Sequence, residues 1–297
     1  MLREPTRTSG RHGSNGAATP KRDSFVRSTS IQFPGIDLAG TVKSSSDSRF
    51  VPGDSVLVNG WGLGEDRWGG LSQKTRVPGD FVIKIPKNLT NADAMAIGTA
   101  GYTAALSLAT LERAGLKPKH GKILVTGANG GVGSIAIALL AACGYQVTAS
   151  TGRPNNEPYL RSLGASEIID RNELATTGKP LQKERWAAAI DSLGGTTLAN
   201  ICASAQYRGL VAACGLAQSM DFPATMAPFI LRNITVFGID SVRAPRAERE
   251  EAWQRLSQKL DRSKLGKIKR TIPLNQVPDE AKKLLEGKIR GRLVVNL

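Results

Sequence analysis

The stretch ILVTGANGGVGS, residues 123–134, decides how the rest of the chain is read. An apolar run that ends in a glycine cluster and passes into further apolar residues predicts a buried strand, a tight turn and the start of a helix. Gly127, Gly130, Gly131 and Gly133 form a variant of the dinucleotide fingerprint. Bare backbone there lets a pyrophosphate approach, and the free N–H groups and dipole of the helix start face the anion. The bland alternative is a glycine-rich turn without a ligand. No Gly-Lys-Ser/Thr closes the loop, so it is not a Walker loop.

Downstream the same alternation continues. YQVTAS, SEIID, AAAID and GLVAACG read as strands, with helices around EPYLRSLG and TTLANICASA between them. Strands alternating with helices predict an α/β fold with a doubly wound, parallel Rossmann sheet. The strand after the glycine helix runs out into STGRP, and no Asp or Glu stands between Gly133 and Glu157. NAD enzymes place an acid there for the ribose 2′-hydroxyl, whereas Thr151, Gly152 and Arg153 suit a 2′-phosphate, so NADPH is favoured over NADH. An ordinary solvated arginine is the alternative for Arg153. After ITVFGID the chain turns helical, and RLVVNL is expected to be a strand returning to the first domain.

Upstream, residues 36–85 are β-prone runs punctuated by Gly and Pro, with VLVNGWG, GGLSQKTRV and DFVIKI as candidate strands. The segment TNADAMAIGTAGYTAALSLATLERAG shifts to helical spacing, with Thr90 as cap and Asp93 three residues on. Residues 1–32 are polar and basic, six Lys/Arg against two acids, with little to bury, and are expected to be a disordered tail. A transit peptide would share this composition but needs an amphipathic face, which is not evident.

The net charge of +15 invites a nucleic-acid reading. The charge, however, is interleaved with acids on segments such as AEREEAWQRLSQKL, and no aromatic-basic motif accompanies it, so no nucleic-acid partner is expected. No run of 18 apolar residues occurs, which predicts no membrane span. Cys143, Cys202 and Cys214 lie in apolar runs without paired spacing, as in a reducing, cytoplasmic setting.

The glycine string also satisfies Thr-Gly-x-x-x-Gly-x-Gly, the pattern of short-chain dehydrogenases, whose chemistry needs Tyr-x-x-x-Lys. Tyr102, Tyr145, Tyr159 and Tyr207 are followed four residues on by Leu106, Ala149, Leu163 and Val211, which disfavours that class. Instead PGIDLAGTV, RFVPGDSVLVNGWGLGEDRWGGLSQ, AMAIGTAGYTAALSL, VTGANGGVGS, YLRSLGASEIIDRNE, VAACGLA, PFILRNITVFGIDSV and GRLVV, in order, resemble the zinc-independent medium-chain dehydrogenase/reductases. More narrowly they are similar to the acryloyl-CoA reductase group, which includes candidate quinone oxidoreductases.

That resemblance covers residues 33–297. It implies a GroES-like catalytic β domain over 33–97 and 243–297, with a Rossmann NADPH-binding domain over 98–242. NADPH contacts are then implied on Asn129, Gly130, Gly131 and Val132, on Thr151, Gly152 and Arg153, and on Arg171. Leu216, Ile230 and Ser241 would border the nicotinamide half, although Leu216 and Ile230 could also be core and Arg171 a surface charge. Zinc-dependent relatives carry Gly-His-Glu where this chain has Gly35, Ile36 and Asp37, and no cysteine precedes Cys143, so no metal is expected. No catalytic side chain is assigned. Trp61 and Trp68 either wall the substrate site or pack within the β domain.

The expected activity is NADPH-dependent hydride transfer to an activated C=C bond, acryloyl-CoA becoming propanoyl-CoA. The alternatives are a quinone reductase and a catalytically impaired NADPH-binding remnant. The partner is a small enoyl-CoA or quinone, and a homodimer stays open. The resemblance begins only at Phe33, with no Asn-Tyr-Lys-Asp-like stretch before it. The β domain is therefore expected to be N-terminally incomplete, and turnover of acryloyl-CoA weak.

Overall fold

Three short strands open the fold: β1 (Asp37–Thr41), β2 (Ser55–Asn59) and β3 (Ile83–Lys84) form an antiparallel sheet in which Asp37 faces Asn59. They belong to the computed structural model, which describes residues 33–297; the expected tail 1–32 lies outside the described residues. The segment GGLSQKTRV, expected as a strand, is a series of bends. Its first backbone donors close onto residues 33–35, Gly69 onto Phe33, Gly70 onto Gly35 and Leu71 onto Pro34 at 2.7–3.0 Å, and the chain then turns back on itself at Ser72. Only glycine fits at the inner face of this turn, since a Cβ on Gly70 would lie 1.9 Å from the Asp37 carbonyl oxygen. DFVIKI likewise contributes only the two residues of β3, preceded by a 3-10 turn.

Helix α1 (Asn91–Arg113) starts on the expected cap: the Asp93 N–H donates to Thr90 Oγ1, and the Thr90 N–H to Asp93 Oδ2, both at 3.1 Å. It crosses the expected domain limit at 97/98 and breaks there, with Gly98 at φ 51°. Although α1 is long and apolar enough to cross a membrane, its most apolar window is 78% buried within the fold, so its composition belongs to the core.

The expected alternation follows as β4 (Ile123–Val125), α2 (Gly131–Ala142), β5 (Val147–Thr151), α3 (Glu157–Leu163), β6 (Glu167–Asp170), β7 (Trp186–Asp191), α4 (Gly195–Ser204), β8 (Ala205–Ala213), α5 (Ala227–Arg232) and β9 (Thr235–Gly238). These strands form one parallel sheet in the order β6-β5-β4-β7-β8-β9. The order reverses between β4 and β7, and the crevice outside the carboxyl ends at such a switch point is where doubly wound folds bind ligands. Every residue of β5 and β7 is buried, as expected for strands covered by helices on both faces.

The chain closes with α6 (Arg246–Lys259), α7 (Arg262–Ile268), β10 (Lys269–Pro273), α8 (Val277–Leu285) and β11 (Arg292–Asn296). The last strand is not part of the first sheet. It pairs in parallel with β10, Lys269 facing Arg292, because α8 serves as the crossover of a βαβ unit. It is linked to the first sheet by a side chain, since Arg292 Nη2 reaches Asp37 Oδ2 at 3.2 Å, and Val294 shares the main core with Leu57 and Ile83. The main core runs from Leu57, Ile83 and Ile85 through α1 and α2 to Trp253 and Leu256 without interruption.

Candidate nucleotide-binding site

The turn between β4 and α2 is built on close backbone contacts. Gly127 has φ 56°, and the Gly130 N–H closes onto its carbonyl at 2.8 Å. A Cβ on Gly133 would lie 2.4 Å from the Gly127 oxygen and 2.7 Å from Ala128 Cα, so only glycine lets the helix sit this close to the strand. No side chain caps α2, which leaves its first-turn N–H groups turned outward. Asn129 Oδ1 is buried without a partner, while Asn129 Nδ2 donates to Thr151 Oγ1. An orphaned acceptor beside an uncapped helix start in a glycine cradle fits a dinucleotide, with its donors and pyrophosphate, better than the bland turn.

Thr151 joins this loop to the end of β5, since its Oγ1 also accepts the Arg153 N–H at 3.0 Å. Arg171, from the turn after β6, lies over Gly152: a Cβ there would meet its Nε at 2.4 Å and Cζ at 2.8 Å. Arg153 and Arg171 form no ion pair among the described residues, and no carboxylate occupies the end of β5. Asn129, Gly130, Gly131, Val132, Thr151, Gly152, Arg153 and Arg171 thus come together at the carboxyl ends of β4, β5 and β6.

The other three residues named from the sequence lie further along the sheet. Leu216 follows β8 and is 61% exposed, and Ile230 on α5 is 72% exposed, so the core alternative fails for both. The Ser241 carbonyl lies 3.1 Å from where a Cβ on Gly60 would stand, against the turn after β2. Trp61 packs within the β region: it stacks on Phe81 at 4.6 Å and carries the Arg249 guanidinium 4.4 Å over its ring. Trp68 is exposed and meets only the edge of Phe33 at 5.8 Å.

Two groups had no role assigned from the sequence. Asp191, at the end of β7, is buried and accepts Thr126 Oγ1 at 2.6 Å and the Gly194 N–H at 2.8 Å. Burial pushes its carboxyl up, against those hydrogen bonds and the Leu193 N–H. The residue thereby ties β4 to β7 under the crevice, and its place at a strand end ahead of SLGG was the signal that could have found it. The second group is Asp37, which takes the Thr99 N–H and Oγ1 at 2.9 and 2.5 Å, Asn59 Nδ2 at 2.7 Å and Arg292. A Cβ on Gly98 would strike both Asp37 and Arg292, which explains the break in α1. Asp37 acts as an N-cap donated by another strand to the helix that resumes at Thr99.

With this geometry in view, comparison with known proteins is direct. Residues 131–258 match the family model described as zinc-binding dehydrogenase. The acrylyl-CoA reductase AcuI of Ruegeria pomeroyi is 48% identical over 265 residues, covering 89% of this chain and 80% of that protein. The Bacillus subtilis protein YhfP, named as a candidate quinone oxidoreductase, is 46% identical over 265 residues, covering 89% of this chain and 80% of its own length. Among solved structures, the YhdH oxidoreductase of Salmonella enterica in complex with NADP superposes with a TM-score of 0.88 at 47% identity, covering 90% of this chain and 82% of that chain. YhfP with NAD bound superposes at 0.86 with 46% identity, covering 89% and 81%. The chain is therefore an oxidoreductase of the medium-chain dehydrogenase/reductase family. Within that family it belongs to the group of acrylyl-CoA reductases and YhfP-like quinone oxidoreductases.

The zinc in the family model's description does not fit these residues. No three His, Cys, Asp or Glu side chains gather as a ligand set among the described residues. Ile36 stands where zinc-dependent relatives carry histidine, and Asp37 is already engaged by Thr99, Asn59 and Arg292.

Proposed function

We propose that the protein is an NADPH-dependent reductase that reduces the activated C=C bond of acryloyl-CoA to give propanoyl-CoA. The observation that carries the cofactor reading is the end of β5, where Arg153 and Arg171 converge beside Thr151 with no carboxylate to receive a ribose 2′-hydroxyl. Two relatives at almost equal identity were solved with NADP and with NAD, so this local charge decides between the cofactors. The identity to AcuI supports the thioester substrate, and the similar identity to YhfP makes a quinone the second reading.

When bound, the reduced nicotinamide supplies the hydride. The chain's own residues bind and orient. The first-turn N–H groups of α2, at Gly131 and Val132, face the pyrophosphate with the positive end of the helix dipole. Asn129 and Gly130 shape the approach. Thr151, Gly152, Arg153 and Arg171 take the 2′-phosphate. Leu216 and Ile230 offer apolar surface, and Ser241 a polar edge, to the nicotinamide half. Asp191 holds the β4 and β7 ends at a fixed spacing beneath it. An enoyl thioester passes through enolate character at its carbonyl oxygen, so hydrogen-bond donors at that oxygen would contribute most to rate. The domain reading carried by this proposal places the nucleotide on 98–242 and the catalytic β portion on 33–97 and 243–297.

Acryloyl-CoA and a quinone, each assayed with NADPH and NADH, test the reading. Turnover of acryloyl-CoA with NADPH well above the other three pairings is expected. Faster quinone reduction would establish the second reading, and tight NADPH binding without turnover of either substrate would mark a nucleotide-binding protein that no longer catalyses.

A further inference from the structure

The β5 end is only one wall of the basic depression in which Arg153 lies. The opposite wall is the loop between α8 and β11, and Arg153, Asn156, Glu286, Gly287, Lys288 and Arg290 line the space between them. Arg153 Nη1 donates to the Ile289 carbonyl at 3.3 Å, which binds the loop to the strand end. Gly287 (φ 67°) faces Arg153, and its missing side chain leaves room there: even a Cβ would stand 3.9 Å from Arg153 Nη2. The Arg290 guanidinium carbon stands over the Tyr159 ring, 4.3 Å from its centroid. That ring is anchored in turn, because the Tyr159 hydroxyl donates to Ser134 Oγ at 2.9 Å and Ser134 Oγ to the Ala128 carbonyl at 3.1 Å, inside the glycine turn. The position of Arg290 is therefore tied to the same backbone that forms the nucleotide cradle.

We propose that this loop is the second jaw of the phosphate site, with Arg290 and Lys288 as further specificity-determining residues for a phosphomonoester on an adenosine ribose. The inference rests on the NADPH reading above. Arg153, Arg171 and Arg290 have no carboxylate partner among the described residues, and Lys288 has only Glu286, at 2.6 Å. Cations drawn together with Glu286 as the single acid lining the depression repel one another, and a phosphate dianion relieves that repulsion while accepting directed guanidinium hydrogen bonds. Arg290 is held over the Tyr159 ring and its N–H groups have no partner among the described residues, whereas Lys288 must release Glu286, so Arg290 carries the larger share. The 2′-phosphate of NADPH and the 3′-phosphate of coenzyme A share this chemistry. The first is favoured because Arg153 and Arg171 stand at the carboxyl end of β5, where the adenosine ribose of a dinucleotide lies.

Binding of 2′,5′-ADP, 3′,5′-ADP and 5′-ADP to the full chain, measured by calorimetry, tests this without reference to turnover. The wild type is expected to bind 2′,5′-ADP best. R290Q should weaken it about tenfold and K288Q about threefold, with 5′-ADP unchanged, as for loss of one charge-assisted phosphate contact. R290K, which keeps the charge and loses the stacking, should recover part of the loss, and thermal melts should show all variants folded. If R153Q loses 2′,5′-ADP while R290Q and K288Q bind it like the wild type, the jaw is refuted and the NADPH reading stands. A wild type that binds 2′,5′-ADP and 5′-ADP equally refutes the NADPH reading and this inference with it. A preference for 3′,5′-ADP refutes the 2′ assignment and gives the depression to coenzyme A.

Discussion

The parallel sheet and the small antiparallel sheet are held by different means. In the parallel sheet, β5 and β7 are buried along their whole length, and their Val, Ala and Ile side chains meet helices on both faces. Regular ladders and a continuous core determine that region, and no single contact dominates it. The β1–β3 region has a core of Phe50, Val56, Val58, Leu63 and Val82, and it keeps its shape through individual close approaches such as Gly69 and Gly70 against the carbonyls of Pro34 and Asp37. It is joined to the rest by Leu57, Ile83 and Ile85, which belong to the main core, and by one polar knot. Asp37 binds Thr99, Asn59 and Arg292, while Asn59 Oδ1 accepts Trp253 Nε1 at 3.1 Å and the Asn59 carbonyl accepts Arg249 at 2.8 Å. Repetition makes the first region tolerant, and the second depends on single residues.

The most direct way to break this contrast is Asp37→Ala. The substitution leaves the Thr99 N–H and Asn59 Nδ2 without their acceptor and the Arg292 guanidinium, which keeps the Met95 and Ala96 carbonyls, without a counter-charge, in a site where the Asp37 and Arg292 side chains are 12% and 22% exposed. The expected cost is about 3 kcal/mol, at the lower end for removing one partner of a buried pair. Limited proteolysis should then cut within residues 33–89 while the sheet from β4 to β9 stays protected and NADPH still binds. Uniform loss of protection across the chain would show that the two regions unfold together and that the contrast is only one of appearance.

The second test bears on the nucleotide half. Arg153→Asp reverses a charge at the end of β5 and recreates the acid that favours a free ribose. NADPH binding should weaken at least about tenfold, roughly 1.4 kcal/mol or more, while NADH binding holds or improves. Fluorescence titration with each cofactor reads the difference, and equal weakening of both would remove Arg153 from the specificity site.

The same contrast explains what could be read from the sequence. The strand–turn–helix at residues 123–134, the strands that follow and the cap formed by Thr90 and Asp93 are local patterns, each decided within a few residues, and each stands where expected. Asp37 could not be read that way, because its partners lie 62 and 255 residues away in the chain. The break at Gly98 follows from that long-range knot and has no local signal beyond the glycine itself. GGLSQKTRV was read as a strand, but a strand needs a free ladder partner, and the donors of Gly69, Gly70 and Leu71 are taken by residues 33–35. β11 was read as a strand returning to the first domain, but its pairing with β10 across α8 is a matter of topology, and its own composition does not specify a neighbour. Among the site residues, the loops after β4 and β5 declared themselves by glycine and charge. The exposure of Leu216 and Ile230 contradicts their hydrophobicity and was visible only in the fold.

A smaller effect is expected at the cap that the two regions share. Burial opposes ionisation of Asp93, but hydrogen bonds from the Thr90 hydroxyl and N–H, with Arg262 and Lys269 nearby, hold its pKa below the ordinary 3.8. A depressed folded pKa contributes stability that is present above the unfolded value and is lost as the pH falls through the folded one. Asp93→Asn should therefore lower stability by about 1 kcal/mol at neutral pH, the usual worth of such a cap. The wild type and the variant should converge as the pH is taken below 3.8. Melting curves that stay a fixed distance apart across that window would show that the charge of Asp93 contributes nothing.

The smallest expected effect is none, and it concerns metal. The family model's description names zinc and matches residues 131–258, a segment that contains no histidine and whose cysteines are Cys143, Cys202 and Cys214. Zinc takes thiolates, imidazoles or carboxylates in a tetrahedral set. Burial, with the negative charge of Asp191 nearby, pushes the Cys202 and Cys214 thiols up to about 12, and burial raises Cys143 as well, so none is poised as a thiolate. Outside the matched segment, Ile36 has no donor, and the carboxylate of Asp37 is held by Thr99, Asn59 and Arg292. A metal placed there would have to break the knot that anchors the β1–β3 region, so zinc would weaken the region it is supposed to serve. Treatment with a chelator should therefore leave both the melting temperature and the rate of NADPH oxidation unchanged. Elemental analysis of purified protein showing one zinc per chain, with stability lost on its removal, would overturn both the knot as the anchor of the β region and the placement of the chain in the zinc-independent branch.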